Sequence, residues 1–171
     1  EGKHELYGCE EGAGYVLRSY DEGKSWQRVN KEEIPIYDKG YLNEIQIDAQ
    51  NGLLYVAADR KKLYTVALST GEVRDLTDTL PKDQMGSVYV NGIAVDSGEG
   101  LVYVAGYDVS VNRSVTVLCS EDGGKSWIDV SPFGGITIGD EVVSPMWLGI
   151  QPESGELWCA TSCYGILKLT E

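Results

Sequence analysis

The chain has 171 residues, enough for one domain with a sizeable core. It carries 14 basic and 27 acidic residues, and the resulting net charge of −13 excludes a general binder of nucleic acid or anionic membrane. Its apolar runs are far shorter than the roughly 20 residues that cross a bilayer. The 21 glycines and 11 tyrosines favour a turn-dense β structure.

Short runs of β-branched and aromatic residues, separated by turn residues, follow one another along the whole chain. They cover residues 6–9, 15–18, 26–29, 45–48, 53–58, 63–66, 71–74, 93–96, 101–106, 115–118, 127–130, 148–151, 157–160 and 166–169. No window of ten or more residues shows the spacing of an amphipathic helix. The pattern therefore predicts an all-β protein built from antiparallel hairpins.

The runs recur with a nearly constant period. Tyr7, Tyr55 and Tyr103 stand at equivalent points of three successive copies, and Trp158 stands at that point of a fourth. Four strands about every 50 residues is the period of a β-propeller blade. We therefore predict a single partial propeller domain of about 3.5 four-stranded blades, at approximately 1–30, 41–77, 90–131 and 146–171.

Two octets with the same spacing stand out within this repeat. Ser-Tyr-Asp-Glu-Gly-Lys-Ser-Trp begins at Ser19, and Ser-Glu-Asp-Gly-Gly-Lys-Ser-Trp begins at Ser120. They resemble the Asp-box, or bacterial neuraminidase repeat, and the chain is most similar to the xyloglucanase-like and sortilin-type propellers that carry it. The matching positions are Ser19, Asp21, Gly23, Trp26, Ser120, Asp122, Gly124 and Trp127.

These octets predict structural turns rather than catalytic acids. Each aspartate can accept hydrogen bonds from amides of its own turn, and each glycine can supply a positive φ angle. Each tryptophan is expected to fill the space between neighbouring blades.

An incomplete propeller leaves sheet edges and one inter-blade face exposed. A closed propeller has four to eight blades. We therefore expect either that the rest of the ring lies outside this chain or that two copies associate, and we do not expect a closed, stable monomer.

Ligands of propellers usually meet the end that carries the loops between blades and between the second and third strands. Aromatic rings there are candidates for binding sugars: Trp147, Tyr107, Tyr164 and Tyr41. Asp140 and Glu141 are the candidate catalytic acids. For each residue the alternative is a solvated charge or a ring that covers the core.

The sequence predicts no metal site and no cofactor. His4 is the lone histidine, and the four cysteines lack a CxxC pair. Cys159 and Cys163 can form a local disulfide or remain reduced.

The resemblance implies a carbohydrate-active module, either glycan-binding or part of a secreted glycoside hydrolase that acts on a neutral polysaccharide. Such a hydrolase places two aspartates across a cleft between two propellers, so we expect this chain alone to be inactive. The alternative is a non-catalytic scaffold that binds a protein through the same loops. The expected location is extracellular or in the cell envelope.

Overall fold

The computed structural model describes residues 4–37, 40–59, 62–81, 88–108, 115–131, 144–162 and 165–169. These residues form fourteen strands in four antiparallel sheets, which confirms the predicted all-β class and the propeller-blade organisation. One short 3-10 turn, Thr77–Thr79, follows the second sheet. No helix in the described part of the chain is long and apolar enough to cross a membrane.

The four sheets follow one another in chain order. Sheet I holds β1 (Leu6–Cys9), β2 (Val16–Ser19) and β3 (Gln27–Arg28). Sheet II holds β4 (Leu42–Asp48), β5 (Leu53–Ala58), β6 (Lys62–Ala67) and β7 (Val73–Asp75). Sheet III holds β8 (Val88–Asp96), β9 (Leu101–Asp108), β10 (Val115–Ser120) and β11 (Ile128–Asp129). Sheet IV holds β12 (Pro145–Ile150), β13 (Leu157–Thr161) and β14 (Gly165–Leu169).

The first strands of sheets II, III and IV begin earlier than the sequence pattern predicts. Each has a register shift near its start, between Leu42 and Glu44, between Val90 and Gly92, and between Pro145 and Trp147. A bulge inserts one unpaired residue and breaks the two-residue alternation. These strands therefore begin three to five residues before the runs that the sequence shows at 45–48, 93–96 and 148–151.

The middle sheets bury both of their faces. Along β5, Leu54 and Val56 pack towards sheet I, whereas Tyr55 and Ala57 pack towards sheet III. All four side chains are at most 1% exposed. This explains why β5 is an unbroken apolar run instead of an alternating one, and it makes the sheets stack face to face in the order I, II, III, IV.

Three apolar clusters hold the stack together, one between each pair of neighbouring sheets. Val16 and Ile34 meet sheet II in the first, and Ile93 and Leu118 of sheet III meet sheet II in the second. In the third, Leu148 of sheet IV packs against sheet III. The core is thus a series of apolar layers between sheets.

We expect Ile93→Ala to lower the free energy of unfolding by about 3 kcal/mol, because Ile93 is fully buried between sheets II and III. Ile47, also in a first strand, is 40% exposed, so Ile47→Ala should cost about 1 kcal/mol. Urea denaturation of both variants measures the difference. Equal costs would contradict the layered core.

Candidate functional site

The first octet forms a turn held by its own polar atoms. The Ser19 hydroxyl donates to Asp21 Oδ1 at 2.8 Å and accepts the Gly23 amide at 2.8 Å. The Asp21 carboxylate accepts the Ser25 amide at 2.8 Å and the Ser25 hydroxyl at 2.6 Å. Serine and aspartate therefore close the turn from both sides.

The second octet repeats these contacts. The Ser120 hydroxyl donates to Asp122 at 2.8 Å and accepts the Gly124 amide at 2.8 Å. Asp122 accepts the Ser126 amide at 2.9 Å, the Ser126 hydroxyl at 2.6 Å and the Lys125 amide at 2.9 Å. Both aspartates thus occupy the turn-closing position expected from the sequence.

Hydrogen bonding sets the charge state of both aspartates. The Ser25 hydroxyl and amide, together with Ser19, lower the pKa of Asp21. For Asp122, the hydrogen bonds from the Ser126 hydroxyl and amide have the largest effect, and they hold the pKa of this carboxyl well below its usual range. Both side chains stay ionised with their oxygens engaged by the turn, which is the opposite of what a general acid requires.

The two octet tryptophans have different surroundings. Trp127 is half-buried against the cluster between sheets II and III, and its indole Nε1 donates to Thr79 Oγ1 of the preceding segment at 3.0 Å. Trp26 is 42% exposed, and its Nε1 donates to Gly23 of its own turn at 3.0 Å. Trp127 therefore lies between two blades, whereas the outward side of Trp26 faces no described sheet.

Two exposed tyrosine rings lie at the loop end of sheet II. Tyr37 is 68% exposed and Tyr41 is 44% exposed. The half-buried Asp59 accepts the Tyr37 amide at 2.8 Å, and its own amide donates to the Tyr41 carbonyl at 3.0 Å. The Lys62 ammonium lies 4.8 Å from the centre of the Tyr37 ring. We call Tyr37, Tyr41, Asp59 and Lys62 the tyrosine platform.

Two other ring candidates from the sequence, Trp147 and Tyr107, lie in strands of other sheets. Trp147 lies within β12, with its ring over Gly149 on the outer face of sheet IV, so its predicted place in a loop is wrong. Tyr107 lies within β9, opposite Tyr89 and Val115, and is likewise a strand residue. Tyr164, Asp140 and Glu141 lie outside the described residues.

A cleft of about 600 Å³ lies beside the octet turn of sheet III, and sequence reasoning missed it. Its charged lining residues are Lys31, Glu32, Glu72 and Arg74, with Thr65 between them and no aromatic ring. The volume suits a small ligand, but the lining offers no flat apolar face. No local motif marks the cleft, because it forms where sheet II, the segment after sheet I and the octet turn of sheet III meet.

No group of three or more histidine, cysteine, aspartate or glutamate side chains gathers around a possible metal position in the described ranges. Cys9, Cys119 and Cys159 carry free thiols. Burial raises the pKa of Cys159 to about 11, so this thiol is unreactive at neutral pH. Cys163, its possible disulfide partner, lies outside the described residues.

Among solved structures, the four sheets resemble the blades of β-propellers. The GH74 xyloglucanase from Xanthomonas campestris superposes with a TM-score of 0.69 at 18% identity, covering 95% of this chain and 25% of that one. An ancestral GH74 enzyme gives 0.66 at 17% identity, covering 92% and 20%. A nidogen/laminin complex gives 0.61 at 15% identity, covering 92% and 52%. The chain thus spans a quarter or less of the GH74 structures that it resembles.

No protein-family model and no curated protein matches the sequence. At these identities the likeness defines a class of fold, the β-propeller, and leaves the activity to be argued from the site.

We expect Asp122→Ala to lower the urea midpoint at about pH 7. We also expect the midpoint of this variant to fall less than that of the wild-type chain when the pH is lowered. The folded pKa of Asp122 lies below that of the unfolded chain, so its stabilisation is present at neutral pH. That stabilisation is lost as the pH falls from about 4, the ordinary aspartate value, towards the folded pKa. Urea midpoints at about pH 7 and about pH 3 measure this.

The matched control is Glu153→Ala, because Glu153 is an exposed carboxylate in another turn. It should change the free energy of unfolding at neutral pH by less than about 0.5 kcal/mol. An Asp122→Ala variant that is as stable as the Glu153→Ala variant would contradict the turn-closing role.

Proposed function

We propose that this chain is a glycan-binding module of a β-propeller protein and that it takes a neutral polysaccharide on the tyrosine platform. The observation that carries the proposal is the exposure of two tyrosine rings, 68% at Tyr37 and 44% at Tyr41, at the same end of sheet II. The flat face of a sugar ring packs against an aromatic ring, while the phenolic and backbone groups around it hydrogen-bond its hydroxyls.

The platform is organised before any ligand arrives. Asp59 and Tyr37 are 22 positions apart, and their hydrogen bond ties the loop to the β5–β6 turn. Gly40 packs so closely that a Cβ there would lie 2.0 Å from Asp59 Oδ1. Backbone that is already hydrogen-bonded at Tyr37 and Tyr41 loses less conformational entropy on binding, which favours affinity for a weakly interacting ligand such as a sugar.

Charge favours a neutral ligand over an anionic one. The net charge of −13 repels polyanions such as acidic polysaccharides at a distance. The name of one structural neighbour, a xyloglucanase, supports testing a neutral β-glucan first. A site for such polymers fits a protein located outside the cell or in the envelope.

The platform supports binding rather than hydrolysis. Glycoside hydrolysis needs two carboxyl groups roughly 5 to 9.5 Å apart on either side of the bond that is cut. Asp59, the acid of the platform, is engaged in holding the loop. We therefore place recognition in this part of the chain and expect no hydrolysis by the chain alone.

Affinity electrophoresis in gels that contain xyloglucan tests the proposal. We expect the wild-type chain to be retarded, and Tyr41→Ala and Tyr37→Ala each to weaken binding about tenfold, which corresponds to about 1.4 kcal/mol of lost ring contact. A panel of other neutral β-glucans and one acidic polysaccharide defines the ligand class.

The control is Tyr20→Ala. Tyr20 is 44% exposed, as Tyr41 is, but it lies in the octet turn of sheet I. It should bind as the wild-type chain does. Equal losses at Tyr20 and Tyr41, or a wild-type chain that no neutral polysaccharide retards, would reject the glycan site and favour a protein ligand for these loops.

A further inference from the structure

The two outer faces of the stack are apolar and exposed. We call the side of a sheet that packs on the next sheet in chain order its front face, and the opposite side its back face. On the outer side of sheet IV, Ile166 is 68% exposed and Trp147 is 44% exposed. On the outer side of sheet I, Leu6 and Trp26 are each 42% exposed.

We propose that the front face of sheet IV binds the back face of sheet I of a second copy, and that two chains close head to tail into a ring of eight sheets. This surface is separate from the tyrosine platform, and the inference does not depend on glycan binding.

The front face of sheet IV repeats a face that is already an interface. Tyr7, Tyr55 and Tyr103 occupy the same position in the sequence repeats of sheets I, II and III, and each packs into the cluster shared with the next sheet. Trp158 occupies this position in the repeat of sheet IV. It is half-buried, and no described sheet lies beyond it.

The equivalence extends across the neighbouring strand. In sheet II, Tyr55 pairs with Thr65 and Ala57 pairs with Leu63, and the Tyr55, Ala57 and Leu63 side chains contact sheet III. In sheet IV, the corresponding pairs are Trp158 with Lys168 and Ala160 with Ile166. The Lys168 ammonium pairs with Glu156, so its charge is compensated at the margin of the face.

The back face of sheet I repeats the receiving side of the same interface. In sheet III, Val102, Val104 and Leu118 pack against sheet II with Trp127 at the edge. The equivalent positions of sheet I follow from the same strand pairing and are Leu6, Gly8, Leu17 and Trp26. The back face of sheet I therefore lacks the cover that Tyr55, Leu63 and Thr79 give to sheet III.

The complementary faces favour a second copy, and the number of blades in closed propellers limits the ring to two chains. The front face of sheet IV and the back face of sheet I are complementary in the same way as the facing sides of sheets II and III. Copies of the chain therefore associate head to tail. The described residues of one chain form four sheets, and the outer faces of the first and the last sheet are exposed. Closed propellers have four to eight blades, so two chains fit this range and three do not.

Sedimentation velocity of the whole chain over a concentration series tests the inference. The wild-type chain should reach a compact species of twice the mass of one chain. Ile166→Lys on sheet IV and Leu6→Glu on sheet I should each raise the dimer dissociation constant about tenfold or more, because each places a charge in the apolar contact. Both residues are exposed in the single chain, so circular dichroism should show unchanged folding.

Ile128→Lys is the matched control, because Ile128 is 59% exposed but belongs to the internal sheet III. It should dimerise as the wild-type chain does. A wild-type chain that remains monomeric, or a ladder of larger species, would overturn the closed dimer. Loss of dimer with only one of the two end-face variants would overturn head-to-tail packing, because a symmetric contact between like faces uses only one of them.

Discussion

The structure depends on the face-to-face burial of whole β-sheets. A small antiparallel sheet usually hides one face and leaves the other to solvent, but sheets II and III bury both. Tyr55 and Val56 are adjacent in β5 and point into different apolar layers, and each is at most 1% exposed. A sheet of this kind is stable only between two neighbours, so the stack and its core follow from this one requirement.

The octet turns add a polar constraint to the apolar layers. Serine and aspartate close each turn through short hydrogen bonds, and this places the tryptophan at the edge of the layer. In sheet III the turn also contacts the 3-10 turn that follows sheet II, because Thr79 Oγ1 lies 2.7 Å from the Gly124 carbonyl and accepts the Trp127 indole N–H. The octet turn of sheet III therefore joins two blades as well as two strands, and its ionised aspartate is part of the scaffold.

The two proposed interactions use different parts of the molecule. Glycan recognition is placed on a loop that Asp59 holds at one end of sheet II. Self-association is placed on the outer faces of sheets I and IV, where the apolar layers stop. This division suits a propeller, because the sheet faces supply stability and the loops at the sheet ends are free to vary.

The sequence by itself determined the features that arise from neighbouring residues. Strand order, the blade period and the closing of the turns at Asp21 and Asp122 all depend on contacts within a few positions, so the spacing of residue types predicted them. Tertiary structure alone decided what depends on the packing of distant strands. It placed Trp147 in a bulged strand instead of a loop, and it left Trp26 exposed where the matching octet buries part of Trp127. It also joined Asp59 to Tyr37, because a hydrogen bond between segments 22 positions apart requires the strands around it to be paired first.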